Sequence, residues 1–187
     1  MITLVIGPMW SGKTFHVIRL SRRYRAIGKN VLFVDHVSDD RYHSDKNALS
    51  HVISHDGLME KSVFVEKLHD ILSMEDYISA DVVIIEEGQF FPDLFNFVTT
   101  ESDKLEKEFI VSGLAGDFER KEIGQMLLLI PHAEIVEKLN GLCSECADGT
   151  QGCFTRRKVS VGKVDQILVG GKESYQCVCR KHLLKRV

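Results

Sequence analysis

Apolar segments and amphipathic segments alternate along the first 114 residues of the chain. Each apolar segment is short, is rich in β-forming residues and predicts a strand. The first is apolar on both faces, which is typical of a strand buried in a parallel sheet. The predicted strands are residues 2–6, 31–35, 62–65, 81–87 and 108–114.

The segments between these strands predict helices. From Lys13 to Ile27, residues such as Val17 and Leu20 recur at helical spacing and form one apolar face. Two further helices are predicted, one ending near residue 73 and one over residues 92–104. Because strands alternate with helices, the sequence indicates an α/β fold with a parallel sheet.

The pattern changes after about residue 141. Helical periodicity stops there, and short β-like pieces lie between glycines and cysteines. We therefore predict two domains, an α/β domain over residues 1–140 and a small domain over residues 141–187. Within the first domain, residues 38–50 are polar and predict a loop.

Composition narrows the class of protein. The 187 residues are 44% hydrophobic and 27% charged, with a net charge of −3, which is ordinary for a globular chain with a sizeable core. The chain has no excess of basic residues of the kind that would indicate nucleic acid as a partner. It also has no apolar run that approaches the ~20 residues of a membrane helix. The start lacks the features of a signal peptide, so we expect a soluble, cytoplasmic protein. In a reducing compartment, clustered cysteines more often bind metal than form disulfides.

Residues 7–14, "GPMWSGKT", match the phosphate-binding pattern G-x-x-x-x-G-K-[ST]. Glycines let backbone N–H groups turn toward an anion, and the helix that follows adds its positive end. Lys13 can reach the β- and γ-phosphates, and the Thr14 hydroxyl can ligate magnesium. The predicted ATP-binding residues are Gly7, Pro8, Met9, Trp10, Ser11, Gly12, Lys13 and Thr14.

Two carboxylates follow a predicted buried strand, in "VVIIEEGQFF". An acidic residue at such a strand end helps to hold magnesium in P-loop proteins, which suits Glu86. Side chains alternate along a strand, so Glu87 should point elsewhere and could act as a base on a substrate hydroxyl. The pair alone leaves the acceptor open, because many ATPases use a second acidic residue to activate water.

The cysteine spacing predicts a structural zinc site. Cys143 and Cys146 form one half-site, and Cys179 and His182 form a second. Cys177 is an alternative to Cys179, which we favour because its two-residue gap to His182 mirrors the first half. Such a site would clamp the long loop between its halves.

Together these motifs resemble the type II thymidine kinases over nearly the whole chain. The resemblance is carried by "GPMWSGKT", "DDRY" (39–42), "SHDG" (54–57), "EEGQFFPDL" (86–94), residues 113–139, "CSEC" (143–146), "CFTRR" (153–157) and "LVGGKESYQCVCRKH" (168–182). It implies a RecA-like P-loop domain and a zinc-binding lasso domain that closes over the nucleoside. It also implies transfer of the γ-phosphate of ATP to the 5′-hydroxyl of thymidine with magnesium, inhibition by thymidine triphosphate, and a homotetramer.

The resemblance also assigns roles to residues. Glu87 falls at the position of the family's catalytic base, and Arg41 falls near the transferring phosphate, with Lys13 as the third catalytic residue. Nucleoside contacts are implied for Met9, Asp39, Phe90, Leu114, Phe118, Thr155, Leu168, Gly170 and Tyr175. Among these, Thr155 is expected near the thymine methyl group and Tyr175 over the base pocket.

Some positions depart from the family pattern. Glu86 and Ala115 stand where aspartate is usual, and Trp10 stands where Phe or Tyr is usual. Two other functions are kept as alternatives, and the second of them is motivated by Glu86 and Ala115. One is a P-loop ATPase in which Glu87 activates water, and the other is a nucleotide sensor without turnover.

Overall fold

The computed structural model of the chain describes residues 1–38, 51–53, 58–158 and 173–185. Its strands are β1 (Ile2–Ile6), β2 (Val31–His36), β3 (His51–Ile53), β4 (Met59–Lys61), β5 (Val63–Val65), β6 (Val82–Ile85), β7 (Glu108–Gly113), β8 (Ile135–Lys138), β9 (Gly141–Leu142), β10 (Gln151–Gly152), β11 (Phe154–Arg157) and β12 (Tyr175–Val178). Its α-helices are α1 (Lys13–Ala26), α2 (Glu75–Ile78), α3 (Leu94–Ser102) and α4 (Arg180–Leu184). Short 3₁₀ helices cover Leu68–Ile71, Gly88–Phe90 and Met126–His132.

Six strands form one sheet in the order β5-β2-β6-β7-β1-β8, and all of its neighbours pair in parallel. The prediction of an α/β fold with a parallel sheet is therefore confirmed. Strand β7 lies between β1 and β6, so the carboxyl ends of these three strands meet at one edge. Ligands of open α/β sheets bind at that edge.

The sheet is buried on both faces, because its strands alternate between two apolar clusters. Val5, Phe33, Ile84 and Ile110 pack with Val17 and Ile18 of α1 on one face. On the other face, the cluster includes Leu4, Val83, Phe109, Phe97 of α3 and Met126. Side chains at the strand ends are therefore held by packing from both sides.

The boundaries differ from the sequence prediction in three places. The predicted helix ending near residue 73 is instead a 3₁₀ turn over Leu68–Ile71, followed by α2 after an extended residue, Met74. The acidic strand predicted over 81–87 ends at Ile85, before both carboxylates. Strand β8 was not predicted at all.

The part of the chain after β8 forms two small antiparallel sheets, β9 with β10 and β11 with β12, followed by α4. Thr155 pairs with Cys177 in the second of these sheets. The domain division at residue 140 stays a prediction, and most of the loop predicted over residues 38–50 lies outside the described residues. Within the described ranges, no helix is both long enough and apolar enough to cross a membrane.

Candidate active site

The phosphate loop connects β1 to α1 and has the backbone that its glycines predict. Gly12 caps α1 in the left-handed region at φ 81°, and Trp10 is also left-handed at φ 67°. The Ser11 hydroxyl donates to Pro8 O at 2.8 Å, and Lys13 Nζ donates to the same oxygen at 3.1 Å. Lys13 is buried, so its ammonium already lies inside the loop that would receive an anion.

The loop is packed tightly against the chain that follows β8. A Cβ at Gly7 would lie 2.7 Å from Leu139 O, and a Cβ at Gly141 would lie 2.7 Å from Trp10 O. Both approaches are possible only for glycine. The phosphate loop is therefore braced by the segment that leads into the cysteine-rich part of the chain.

Glu86 follows β6 and is buried, with 2% exposure. Burial and the neighbouring Glu87 charge raise the pKa of Glu86 to about 7, while the nearby Ser112 hydroxyl, the Lys13 ammonium and the Thr14 hydroxyl act in the opposite direction. Although these two hydroxyls lie near enough to lower the pKa, neither makes a hydrogen bond of ordinary distance and angle to Glu86 Oε1, so within the described residues this buried oxygen lacks a close partner, as does Ser112 Oγ. A buried, unpaired carboxylate oxygen beside a phosphate loop fits a magnesium ligand, because a cation would favour its charged form.

Strand alternation, from which the sequence predicts that Glu87 points differently from Glu86, does not describe this pair. Because β6 ends at Ile85, strand alternation does not apply; instead Glu87 adopts a left-handed conformation at φ 47° and begins a 3₁₀ turn. Its carboxylate is only partly buried. Gln89, which sequence reasoning missed, donates from Nε2 to Glu87 Oε2 at 2.5 Å.

Strand β11 reaches back to the phosphate loop. Met9 N–H donates to Thr155 Oγ1 at 3.0 Å, although the two residues are 146 positions apart. Thr155 is 6% exposed. The structure thus brings together two residues that the sequence assigned to the nucleoside pocket.

Two aromatic residues that were predicted for the nucleoside pocket, Phe118 and Tyr175, both contact one arginine, Arg157. The guanidinium of Arg157 lies 5.2 Å from the centre of the Phe118 ring and 5.8 Å from the centre of the Tyr175 ring. Tyr175 is buried and Phe118 is partly buried. Arg157 therefore links two predicted pocket residues by cation–π contacts, and it is a second residue that sequence reasoning missed.

Two other predicted pocket residues lie at neighbouring strand ends. Leu114, directly after β7, donates its N–H to Gln89 Oε1 at 2.9 Å. The Phe90 ring packs against His36, with 5.8 Å between the ring centres. Four predicted site residues, Asp39, Arg41, Leu168 and Gly170, lie outside the described residues.

The four predicted zinc ligands come together from two segments: Cys143 and Cys146 follow β9, Cys179 directly precedes α4, and His182 lies within α4. His182 Nδ1 lies 3.5 Å from Cys143 Sγ, 3.4 Å from Cys146 Sγ and 3.4 Å from Cys179 Sγ, and the last two sulfurs are 3.8 Å apart. A Zn–S distance of about 2.3 Å implies a tetrahedral edge of about 3.8 Å. These atoms could therefore hold a zinc ion.

The thiols of this part of the chain differ in environment. Burial favours the neutral Cys143 thiol, but backbone N–H groups of Cys179, Cys146 and Glu145 outweigh it and lower its pKa to about 6. A thiolate is the form that binds metal. Cys177, the alternative ligand, is instead turned toward Gly152 O, to which its Sγ donates at 3.3 Å. The cluster of possible metal-ligating side chains contains Cys179 and not Cys177.

A family model described as thymidine kinase matches residues 1–183 of the chain. The chain belongs to the thymidine kinase family. The matched residues include the phosphate loop, the Glu86–Glu87 turn and the cysteine-rich segment. The match to the thymidine kinase family therefore extends over the whole candidate site.

Curated thymidine kinases are similar over nearly the full chain. The rice protein is 37% identical over 98% of this chain, which spans 66% of that protein. The sheeppox virus protein is 34% identical over 96% of this chain and 94% of its own length. The Yaba monkey tumor virus protein is 36% identical over 96% of this chain and 92% of its own length.

Among solved structures, domain III of the Thermotoga maritima replication initiation protein DnaA is similar to 74% of this chain and 54% of its own, at 12% identity and a TM-score of 0.44. A likeness at this level adds nothing about function.

Proposed function

We propose that this protein is a thymidine kinase that transfers the γ-phosphoryl group of ATP to the 5′-hydroxyl of thymidine and releases thymidine monophosphate and ADP. The observation that carries the proposal is the 3.0 Å hydrogen bond from Met9 N–H to Thr155 Oγ1. It joins the phosphate loop, on the donor side, to a strand that the family resemblance assigns to the acceptor side. Deoxyuridine is a second possible acceptor.

In the proposed reaction, groups of the phosphate loop and Glu86 bind the phosphates and the magnesium of ATP. Backbone N–H groups of the phosphate loop and the Lys13 ammonium hold the β- and γ-phosphates. To reach them, Lys13 Nζ gives up its hydrogen bond to Pro8 O. Glu86 and the Thr14 hydroxyl would hold magnesium. Magnesium held there would supply positive charge that neutralises the negative charge developing on the phosphate groups.

Glu87 is the proposed general base. As the bond between the γ-phosphorus and the ADP oxygen breaks, the 5′-oxygen of thymidine bonds to phosphorus and its proton passes to the Glu87 carboxylate. Arg41 is proposed to stabilise the transferring group. Thr155, Tyr175 and Phe118 are proposed to enclose the base, with Asp39, Leu168 and Gly170 as further contacts. Exclusion of water by this enclosure protects ATP from hydrolysis.

The four-residue cluster is proposed to hold a structural zinc ion that fixes both ends of the lasso. The family resemblance further supports three proposals that concern the whole protein: inhibition by thymidine triphosphate, a homotetramer and a cytoplasmic location. Sedimentation with and without thymidine triphosphate tests the assembly, and a dimeric or monomeric protein would contradict it.

An assay with ATP, magnesium and each of the four deoxynucleosides tests the function. We expect thymidine monophosphate from wild-type protein and a loss of about 10²–10⁴-fold in Glu87→Gln, the range typical of general-base removal. The exposed Glu119→Gln is the matched control and should leave the rate unchanged. ATP hydrolysis without a nucleoside would favour an ATPase, and nucleotide binding without turnover would favour a sensor.

A further inference from the structure

Gln89 is a buried amide between two parts of the candidate active site. It is 4% exposed and lies in the 3₁₀ turn that Glu87 begins. Its Nε2 lies 2.5 Å from Glu87 Oε2, and its Oε1 accepts the Leu114 N–H at 2.9 Å. One side chain thus connects the end of β6 to the end of β7.

Hydrogen-bond chemistry fixes which way the Gln89 amide faces. Leu114 N–H can only donate, so the amide oxygen of Gln89 must face it. The amide nitrogen then faces Glu87, where it can only donate. This arrangement requires an acceptor at Glu87 Oε2, as an ionised carboxylate supplies.

The surroundings leave the Gln89 residue little freedom. A Cβ at Gly113 would lie 2.4 Å from Gln89 Oε1, and a Cβ at Gly124 would lie 2.2 Å from Gln89 O. Glycine at both positions therefore allows two separate chain segments to close on this one residue. A side chain held at its amide and at its backbone can fix the position of its neighbour.

We propose that Gln89 is a positioning residue that orients the Glu87 carboxylate toward the acceptor hydroxyl and ties it to the pocket wall at Leu114. The inference rests on the proposed function, in which Glu87 accepts the proton of the hydroxyl. A base must lie within hydrogen-bond reach of that proton, and a misplacement of about 1 Å can cost about 10²-fold in rate. In this role Gln89 acts through Glu87, to which its amide donates.

The test compares Gln89→Met with Gln125→Met. Gln125 is a half-buried amide that also donates from Nε2 and accepts a backbone N–H at Oε1, but its partners are Pro92 O and Phe95 N–H, each at 2.8 Å, and not Glu87. For Gln89→Met we expect kcat to fall by about 10²-fold while the KM for thymidine stays within about threefold. Gln125→Met should keep kcat within about threefold.

A double-mutant cycle separates positioning from general support of the fold. If Gln89 acts through the Glu87 carboxylate, Gln89→Met should lower the residual rate of a Glu87→Gln protein by less than about twofold. Equal losses in both backgrounds would overturn the inference, and so would a Gln89→Met enzyme with wild-type kcat.

Gln89→Glu covers the case in which Gln89→Met does not fold. It keeps the side-chain shape and an oxygen for Leu114 N–H, but it loses the donor to Glu87, so kcat should fall by at least as much. A folded Gln89→Glu enzyme with wild-type kcat would overturn the inference. These results assume an active wild type; a wild type that phosphorylates no nucleoside would overturn the proposed function and the inference with it.

Discussion

Met9 and Thr155 are joined by a hydrogen bond of 3.0 Å, from the backbone N–H of the phosphate loop to the hydroxyl of strand β11. Thr155 lies in the strand that pairs with β12, and β12 leads directly to the cysteine–histidine cluster. The donor site, the segment assigned to the nucleoside and the cluster are therefore mechanically connected through one threonine.

Thr155→Val tests this connection. The variant keeps the shape of the side chain but leaves Met9 N–H without its acceptor, which costs about 1–3 kcal/mol for a buried donor. We expect kcat/KM for thymidine to fall by about tenfold to a hundredfold. Thr155→Ser retains the hydroxyl and should stay within about threefold of wild type. Steady-state kinetics decide, and a fully active Thr155→Val enzyme would contradict the proposed connection.

Zinc content tests the four-residue cluster. Metal analysis of wild-type protein should give one zinc per chain, and Cys179→Ala should lose most of it because a structural site needs all four ligands. Cys153→Ala is the control, since Cys153 lies outside the cluster. Loss of the metal should also destabilise the short sheets that follow β8. Full zinc retention by Cys179→Ala would show that another residue, such as Cys177, is the third ligand.

Glu86→Gln separates metal binding from stability. Burial raises the pKa of Glu86 to about 7, so the folded state favours the protonated carboxyl. In metal-free wild type, the free energy of unfolding should therefore fall as pH rises from the ordinary carboxyl range through 7, by about 3 kcal/mol at most. Glu86→Gln should remove this pH dependence, stabilise the metal-free protein at pH 8 and abolish phosphoryl transfer. Urea unfolding without added magnesium measures the first effect; a difference in unfolding free energy between wild type and Glu86→Gln that does not change with pH would contradict it.

Asp93 predicts the opposite pH dependence. Burial alone would raise the pKa of Asp93, but hydrogen bonds from the His69 ring, His69 N–H and Leu68 N–H outweigh it and hold the pKa below its ordinary value. Its contribution to stability is therefore present above the ordinary carboxyl pKa and is lost as pH falls through the folded pKa.

Asp93→Asn should destabilise the protein at pH 6, and the difference from wild type should shrink toward pH 3. Asp70→Asn, an exposed change in the same region, is the control. Unfolding at several pH values measures the difference, and a gap between wild type and Asp93→Asn that grows toward pH 3 would contradict the assignment.

Local sequence patterns were sufficient for the parallel sheet, the phosphate loop and the spacing of the cysteine–histidine cluster. They failed for β8, because Ile135 and Val136 are each 43% exposed on an edge strand and show no buried run. They also failed for Gln89 and Arg157, whose partners Leu114 and Phe118 are distant in sequence. Contacts of that kind depend on how the strand ends meet, which no single segment specifies.

The pair Glu86–Glu87 has a backbone conformation that the sequence did not predict. The two carboxylates were expected to diverge through strand alternation, but β6 ends before them. Glu87 instead adopts a left-handed backbone conformation, which is uncommon for a non-glycine residue. Such backbone conformations cluster at functional sites.

The fate of the γ-phosphoryl group tests the central claim most directly. Protein incubated with γ-labelled ATP, magnesium and thymidine should place the label in thymidine 5′-monophosphate, with little released as inorganic phosphate. Glu87→Gln should lose label transfer to thymidine by at least about 10²-fold. Label that appears in inorganic phosphate at the same rate with and without thymidine would contradict the account.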